Sequence, residues 1–135
     1  MAKLTLKNCE IGDNQPIFII AEAGVNHNGD IKVAHQLIDA AVDVGANAVK
    51  FQTFITEEIV SLHAPLAGHH IANTGKKMSH FDLIKKLELP FECFVELKAH
   101  CEEKNLIFIS TPYDLPSAEF LIDLKCEVIK NASSE

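Results

Sequence analysis

The sequence predicts an α/β protein built on a parallel sheet, and three observations carry that prediction. Short runs rich in β-branched and aromatic residues recur along the chain, as "PIFIIAE", "NAVKF", "LIFIS" and "CEVIK". Between them lie segments whose apolar residues fall at helical spacing. The two kinds alternate as β-α-β-α-β-α-β, and strands separated by helices pair in parallel with the helices packed outside. Such a sheet belongs either to an open doubly wound fold or to a (β/α)8 barrel.

Ahead of this pattern, Leu4 to Leu6 and Cys9 to Ile11 read as a hairpin, with another turn at "GDNQP". Ile17 to Ala21 is continuously apolar, as expected of a strand buried on both faces. "AGVNHNG" is turn chemistry, rich in Gly and Asn. In "DIKVAHQLIDAAVDVGA", Val33, Ala34, Leu37, Ile38, Ala41 and Val44 follow a helical period, with Asp30 as N-cap and Gly45 as the stop. "NAVKF" is the next strand.

Residues 52–80 lack a regular pattern and carry Pro65, Gly68, Gly75 and the pair Lys76–Lys77. A connection of that length inside a compact domain is generally functional or mobile. "HFDLIKKLEL" reads as a short helix ending before Pro90. "PFECFVELKAHCEEKN" reads as a longer one, with Pro90 near its first turn and Phe94, Leu97 and Cys101 on its buried face. "LIFIS", "LPSAEFLIDLK" and "CEVIK" complete the alternation as strand, helix and strand.

With 135 residues, 47% of them hydrophobic and 23% charged, the chain can build one domain with its own core. A formal net charge of -7 excludes diffuse binding to nucleic acid or to an anionic membrane. No apolar run approaches the roughly twenty residues of a membrane span. The charges of "MAKLTLKNCEIGD" lie too close together for a signal peptide, so a cytoplasmic location is expected. Cys9, Cys93, Cys101 and Cys126 have no zinc-ligand spacing and are expected as buried, reduced thiols. The seven histidines are scattered, and the adjacent His69 and His70 read as a loop tip.

The polar residues gather where the strands end. The first strand reaches Glu22, ahead of the Asn26–His27 turn; the second carries Lys50, Gln52 and Thr53; the third runs into Ser110 and Thr111; the fourth runs into Lys130, Ser133 and Glu135. In a parallel sheet all these ends share one edge, which is the catalytic face of a barrel and the ligand crevice of an open sheet. Two lysines with hydroxyls and backbone amides suit a small, highly charged anion such as a phosphorylated carboxylate. Glu22 and Glu135 suit sugar hydroxyls or proton transfer.

With these residues in place, the chain resembles the N-terminal part of the sialic acid synthase family. The resemblance runs from Ile11 to Glu135 through "IIAEAGVNHNGD", "AVKFQTF", "FISTPYD" and the ending Lys130-x-x-Ser133-x-Glu135. It implies the first half of a (β/α)8 TIM barrel preceded by a short N-terminal hairpin. Residues 1–135 would then be a partial catalytic domain, with the second half-barrel and a C-terminal antifreeze-like domain absent, since a full barrel takes about 250 residues. The implied reaction condenses phosphoenolpyruvate with N-acetylmannosamine or a related amino sugar, giving a nonulosonic acid and phosphate. The isolated chain would be inactive.

The resemblance also implies roles. Lys50, Thr111, Lys130 and Ser133 would hold the phosphate and carboxylate of phosphoenolpyruvate. Glu22 would bind the acceptor hydroxyls with Gln52 nearby, Asn73 would reach the sugar, and Glu135 would transfer a proton. Asn26 and His27 would shape the site. A divalent metal, manganese or magnesium, would be bound by histidines that this chain lacks, and the complete protein would be a homodimer. Asn131 departs from the family, which usually has an apolar residue there. The rival readings are a Schiff-base aldolase using Lys50 or Lys130, and a non-catalytic half-barrel.

Overall fold

The computed structural model describes residues 2–61 and 78–133. An antiparallel hairpin comes first, β1 (Lys3–Leu6) against β2 (Cys9–Gly12), with Leu6 opposite Cys9. There follow β3 (Ile20–Gly24), α1 (Ile31–Asp43), β4 (Ala48–Thr53), α2 (Thr56–Ile59), α3 (His80–Leu87), α4 (Phe91–Glu103), β5 (Ile107–Pro112), α5 (Leu115–Asp123) and β6 (Val128–Ile129). Strands β3, β4, β5 and β6 form one parallel sheet in that order. Each neighbour in the sheet is also the next strand in the chain, which is how strands follow one another in a half (β/α)8 barrel.

Strand alternation gives this sheet two unlike faces. One face carries Val49, Phe51 and Phe108 and is covered by helices. Ala34, Ile38 and Ala41 of α1 pack there with Phe94, Leu97 and Cys101 of α4 and Leu121 of α5. Each fully buried large side chain in this layer contributes about 1.5–3 kcal/mol relative to exposure. The other face has Ala48, Ile107 and Ile109 in its lower half, closed by Leu6 of the hairpin, with Cys9, Ile11, Phe18 and Val128 around it. The hairpin therefore plugs the N-terminal half of this second face and leaves its C-terminal half open.

Local chemistry explains the element boundaries. Asp30 accepts a hydrogen bond from the Lys32 N–H at 2.8 Å, and Gly45 follows α1 with φ +75°, so both expected caps are in place. Ser79 caps α3 by accepting from the Asp82 N–H, and Asp114 caps α5 by accepting from the Ser117 N–H. In the turn between β3 and α1, Gly29 has φ +75°, and a Cβ there would lie 2.2 Å from the Lys86 carbonyl oxygen. The last residue of "NHNG" is thus fixed by close packing against the end of α3.

Several expectations are corrected. The first parallel strand begins at Ile20, not Ile17, and is not buried on both faces: Ile17 is 86% exposed and Ile19 and Ile20 are also exposed. Only β4 lies beside β3 in the sheet, and the hairpin does not reach over Ile20. Val44 is the C-cap of α1 and is exposed. The single turn α2 was not anticipated, and the last strand shrinks to Val128–Ile129. All four cysteines are free, but only Cys101 is fully buried. Burial pushes the Cys101 thiol up to about 12 and that of Cys126 up to about 11.

Candidate active site

The register of the sheet brings the sequence-derived site residues together in two rungs. Glu22 of β3 lies opposite Lys50 of β4, and the Lys50 Nζ is 2.7 Å from the Glu22 Oε2. Lys50 keeps only 9% of its surface exposed, whereas the Glu22 side chain is 56% exposed. An ammonium placed this deep requires a charged partner, and Glu22 supplies it. One rung towards the C-terminal edge, Gln52 lies opposite Thr111 of β5. Thr111 is buried, and its Oγ1 has no hydrogen-bond partner among the described residues. Glu22, Lys50, Gln52 and Thr111 all fall on the face opposite the helices; Lys50 shares its rung with Ile109 of the apolar plug, and Gln52 and Thr111 lie one rung above it.

Lys130 follows β6 directly, and its N–H donates to the Ser110 carbonyl at 3.1 Å, which sets it beside the upper rung. Its side chain is exposed and Nζ donates to the neighbouring Asn131 carbonyl at 3.0 Å, with no ion pair to another of the described residues. Ser133 is exposed at the end of the described residues. Glu135, Asn73, His69 and His70 lie outside them. An open cavity of about 590 Å³ adjoins Lys130 at the same edge, lined by Tyr113, Asp114, Leu115, Asn131 and Ala132 among others.

Not every polar residue at the strand ends joins this group. Thr53 and Ser110 alternate to the helix-covered face, where their hydroxyls are buried and hydrogen-bonded to each other at 2.7 Å. Asn26 is exposed. His27 is buried, and its Nδ1 accepts the Gly29 N–H at 2.9 Å, which puts the proton of the neutral ring on Nε2. Burial lowers its pKa, so the imidazole is held neutral beside Phe51. His27 therefore fixes the turn after β3.

The connection after β4 is held by two carboxylates that were not identified from the sequence. Asp114 accepts from the Ile55 N–H at 2.8 Å, in addition to capping α5. Glu88 accepts from both the N–H and the hydroxyl of Thr56, and Lys85 also donates to it. Burial acts to raise the Glu88 pKa, but the bonds from Thr56 and Lys85 outweigh it and the net shift is downward. Asp114 had a visible signal, an Asp before "LPS" at a helix start. Glu88 had none, because its partner lies 32 residues away.

The cluster lies at the C-terminal edge of a parallel sheet whose strands follow one another as in half of a (β/α)8 barrel, the edge where such folds carry their ligands. The chain belongs to the NeuB family, whose sequence model matches residues 37–135. It is 42% identical over 117 residues to the N,N'-diacetyllegionaminic acid synthase of Campylobacter jejuni, covering 87% of this chain and 35% of that protein. It is 40% identical to the spore coat polysaccharide biosynthesis protein SpsE of Bacillus subtilis, over 100% of this chain and 35% of that protein. The crystal structure of N-acetylneuraminic acid synthetase from Leptospira borgpetersenii superposes with a TM-score of 0.79 at 38% identity, covering 98% of this chain and 41% of that one. The chain thus spans about a third of the length of these curated relatives.

Proposed function

We propose that this chain provides the donor-binding half of a synthase that condenses phosphoenolpyruvate with an N-acetylated amino sugar, releasing a nonulosonic acid and phosphate. The observation that carries the reading is the open-face cluster: the Lys50–Glu22 pair beneath the buried, unpartnered hydroxyl of Thr111, with Lys130 alongside. The names of the relatives supply the reaction class. In this proposal residues 1–135 are one part of a barrel domain, and further strands enclose the open half of the face. The homodimer and the cytoplasmic location belong to the same proposal; none of the described helices is long and apolar enough to cross a membrane.

The chemistry follows from the donor. C3 of phosphoenolpyruvate attacks the aldehyde carbon of the open-chain sugar, and positive charge develops at C2. Water adds at C2, and phosphate leaves from the tetrahedral intermediate. Lys50 and Lys130 offset the donor's negative charge, and the Thr111 hydroxyl donates to a donor oxygen in place of the partner it lacks. Ser133 adds a second hydroxyl. Glu22 and Gln52 orient the acceptor hydroxyls with Asn73, and Glu135 moves the proton of the attacking water. Among the described residues no group of three or more His, Cys, Asp or Glu side chains is placed to hold a metal ion. In this proposal the manganese or magnesium ion that the resemblance implies would be held by histidines of the complete protein outside this chain and would polarise the sugar aldehyde.

The Schiff-base alternative asks a lysine to present a neutral amine. Lys50 is instead engaged in a 2.7 Å ion pair. The test is phosphate release by the natural polypeptide carrying this chain, with phosphoenolpyruvate, divalent metal and a panel of N-acetylated amino sugars. Sugar-dependent release, lost in Lys50→Met, is the expected result. No release with any sugar on the panel, together with borohydride trapping of a keto acid on Lys50 or Lys130, would replace this reading with the aldolase. No release and no trapping would leave the non-catalytic half-barrel.

A further inference from the structure

On the outer surface, away from the strand ends, α1 and α4 each present a pair of titratable residues four positions apart. They are His35 with Asp39 on α1, and Glu96 with His100 on α4. Residues at this spacing share one helix face. The two pairs meet head to tail across the helix interface. The His35 Nε2 lies 2.6 Å from the Glu96 Oε1, and the His100 Nε2 lies 2.9 Å from the Asp39 Oδ1. The two Nδ1 atoms face each other at 2.7 Å, with the rings 4.8 Å apart and tilted by 39°.

This arrangement constrains its own protons. Each Nε2 faces a carboxylate, which only accepts, so each Nε2 carries a hydrogen. Both Nδ1 lone pairs are then directed at the same point. Two lone pairs at 2.7 Å repel unless a cation lies between them. A single proton satisfies the contact at this distance. A metal ion with metal–nitrogen bonds of about 2.0–2.1 Å needs the two nitrogens roughly 3.3 Å apart in tetrahedral geometry. That is a widening of roughly half an ångström, well within the reach of side-chain rotation on a helix surface.

We propose that His35 and His100 form a two-histidine site for a divalent ion of the zinc, nickel or copper class. The carboxylates of Glu96 and Asp39 are the outer partners that fix ring orientation and leave Nδ1 free to ligate. Imidazole ligands select these borderline ions over magnesium and calcium. The imidazoles are mostly buried, with 27% and 16% of their side chains exposed, while the carboxylates are more than half exposed. Water would complete the coordination shell from the solvent side, where both carboxylates are exposed. On binding, the shared proton passes to solvent as the ion takes its place. The ion would add a further tie between α1 and α4, which already meet through apolar packing of Ala34, Ile38, Phe94 and Leu97 and through the two histidine–carboxylate contacts. The site is independent of the proposed condensation.

The experiment is equilibrium dialysis of the natural polypeptide against micromolar zinc or nickel, beside the variants His35→Gln, His100→Gln and Glu96→Gln. Wild type should hold a single ion more than either histidine variant and should melt higher when it is bound, with no such difference in magnesium. Glu96→Gln should retain the site with affinity weakened about tenfold to a hundredfold. Zinc should also protect both imidazoles of wild type from diethyl pyrocarbonate, a readout that does not depend on the variants folding. Equal metal content in wild type and histidine variants, or no protection by zinc, would overturn the proposal and leave a pair bridged by a proton only.

Discussion

The two faces of the parallel sheet are made from the same strands, residue by residue in alternation, yet they follow different rules. On the helix-covered face Val49, Phe51 and Phe108 are packed, and the polar pair there, Thr53 and Ser110, is mutually satisfied. On the open face the lower half is plugged by Leu6, but the upper half holds a nearly buried lysine and a buried hydroxyl without a partner. On the first face the strand hydroxyls of Thr53 and Ser110 satisfy each other, while the His27 Nε2 beside Phe51 and the Ser117 Oγ of α5 are buried without a partner among the described residues. On the second, Lys50 is paired with Glu22 and the buried Thr111 hydroxyl has no partner among the described residues, the kind of group that calls for a functional explanation.

The sharpest way to break this contrast is from the helix side. Phe94→Ala should destabilise by about 3–5 kcal/mol, because Phe94 is fully buried between α1 and the sheet. Denaturant unfolding checks it, and a loss below about 1 kcal/mol would mean that the helix layer is not the principal core. Gly29→Ala should cost roughly 3 kcal/mol or more, since φ +75° and the 2.2 Å approach to Lys86 act together.

On the open face the signs differ. Glu22→Gln leaves Lys50 nearly buried without a counter-charge and should destabilise, whereas Lys50→Met removes the charge and keeps the volume, and should be close to neutral in stability. Equal losses from the two would show that the pair serves the fold. At the next rung, Thr53→Val orphans the Ser110 hydroxyl and should cost about 1–2 kcal/mol. Thr111→Val removes a hydroxyl that bonds to none of the described residues and should cost under about 0.5 kcal/mol.

The smallest effect is in pH. The folded-state pKa of His27 is depressed by burial, so the unfolded chain takes up a proton first as pH falls. Stability should therefore decline as pH drops below the ordinary histidine value of about 6.5, and the decline should level off once the folded protein also binds the proton. His27→Gln should flatten this part of the stability–pH curve; an unchanged curve would place the acid sensitivity elsewhere.

The parallel alternation was legible in the sequence because it rests on local pattern: β-branched runs, an Asp30 cap, a Gly45 stop. The site was legible for a related reason, since parallel strands bring all their C-terminal ends to one edge. What escaped was long-range. The sequence placed Thr53, Ser110 and Thr111 together at that edge, but only register decides which turn inward to the helices and which outward. Ile17 to Ile20 read as a buried strand because composition records hydrophobicity, not whether a second neighbour strand is at hand. The cross-links Glu88–Thr56 and His35–His100 join residues 32 and 65 positions apart, beyond the reach of any local signal.

The most direct test of the contrast is the phosphoenolpyruvate dissociation constant of the natural polypeptide, measured by calorimetry for wild type, Thr111→Val and Thr53→Val. If the open face is the donor site, Thr111→Val weakens binding about tenfold, equivalent to roughly 1.4 kcal/mol, and Thr53→Val leaves affinity unchanged. Wild-type affinity in Thr111→Val, or equal weakening in both variants, would contradict the division of the sheet into a structural and a functional face.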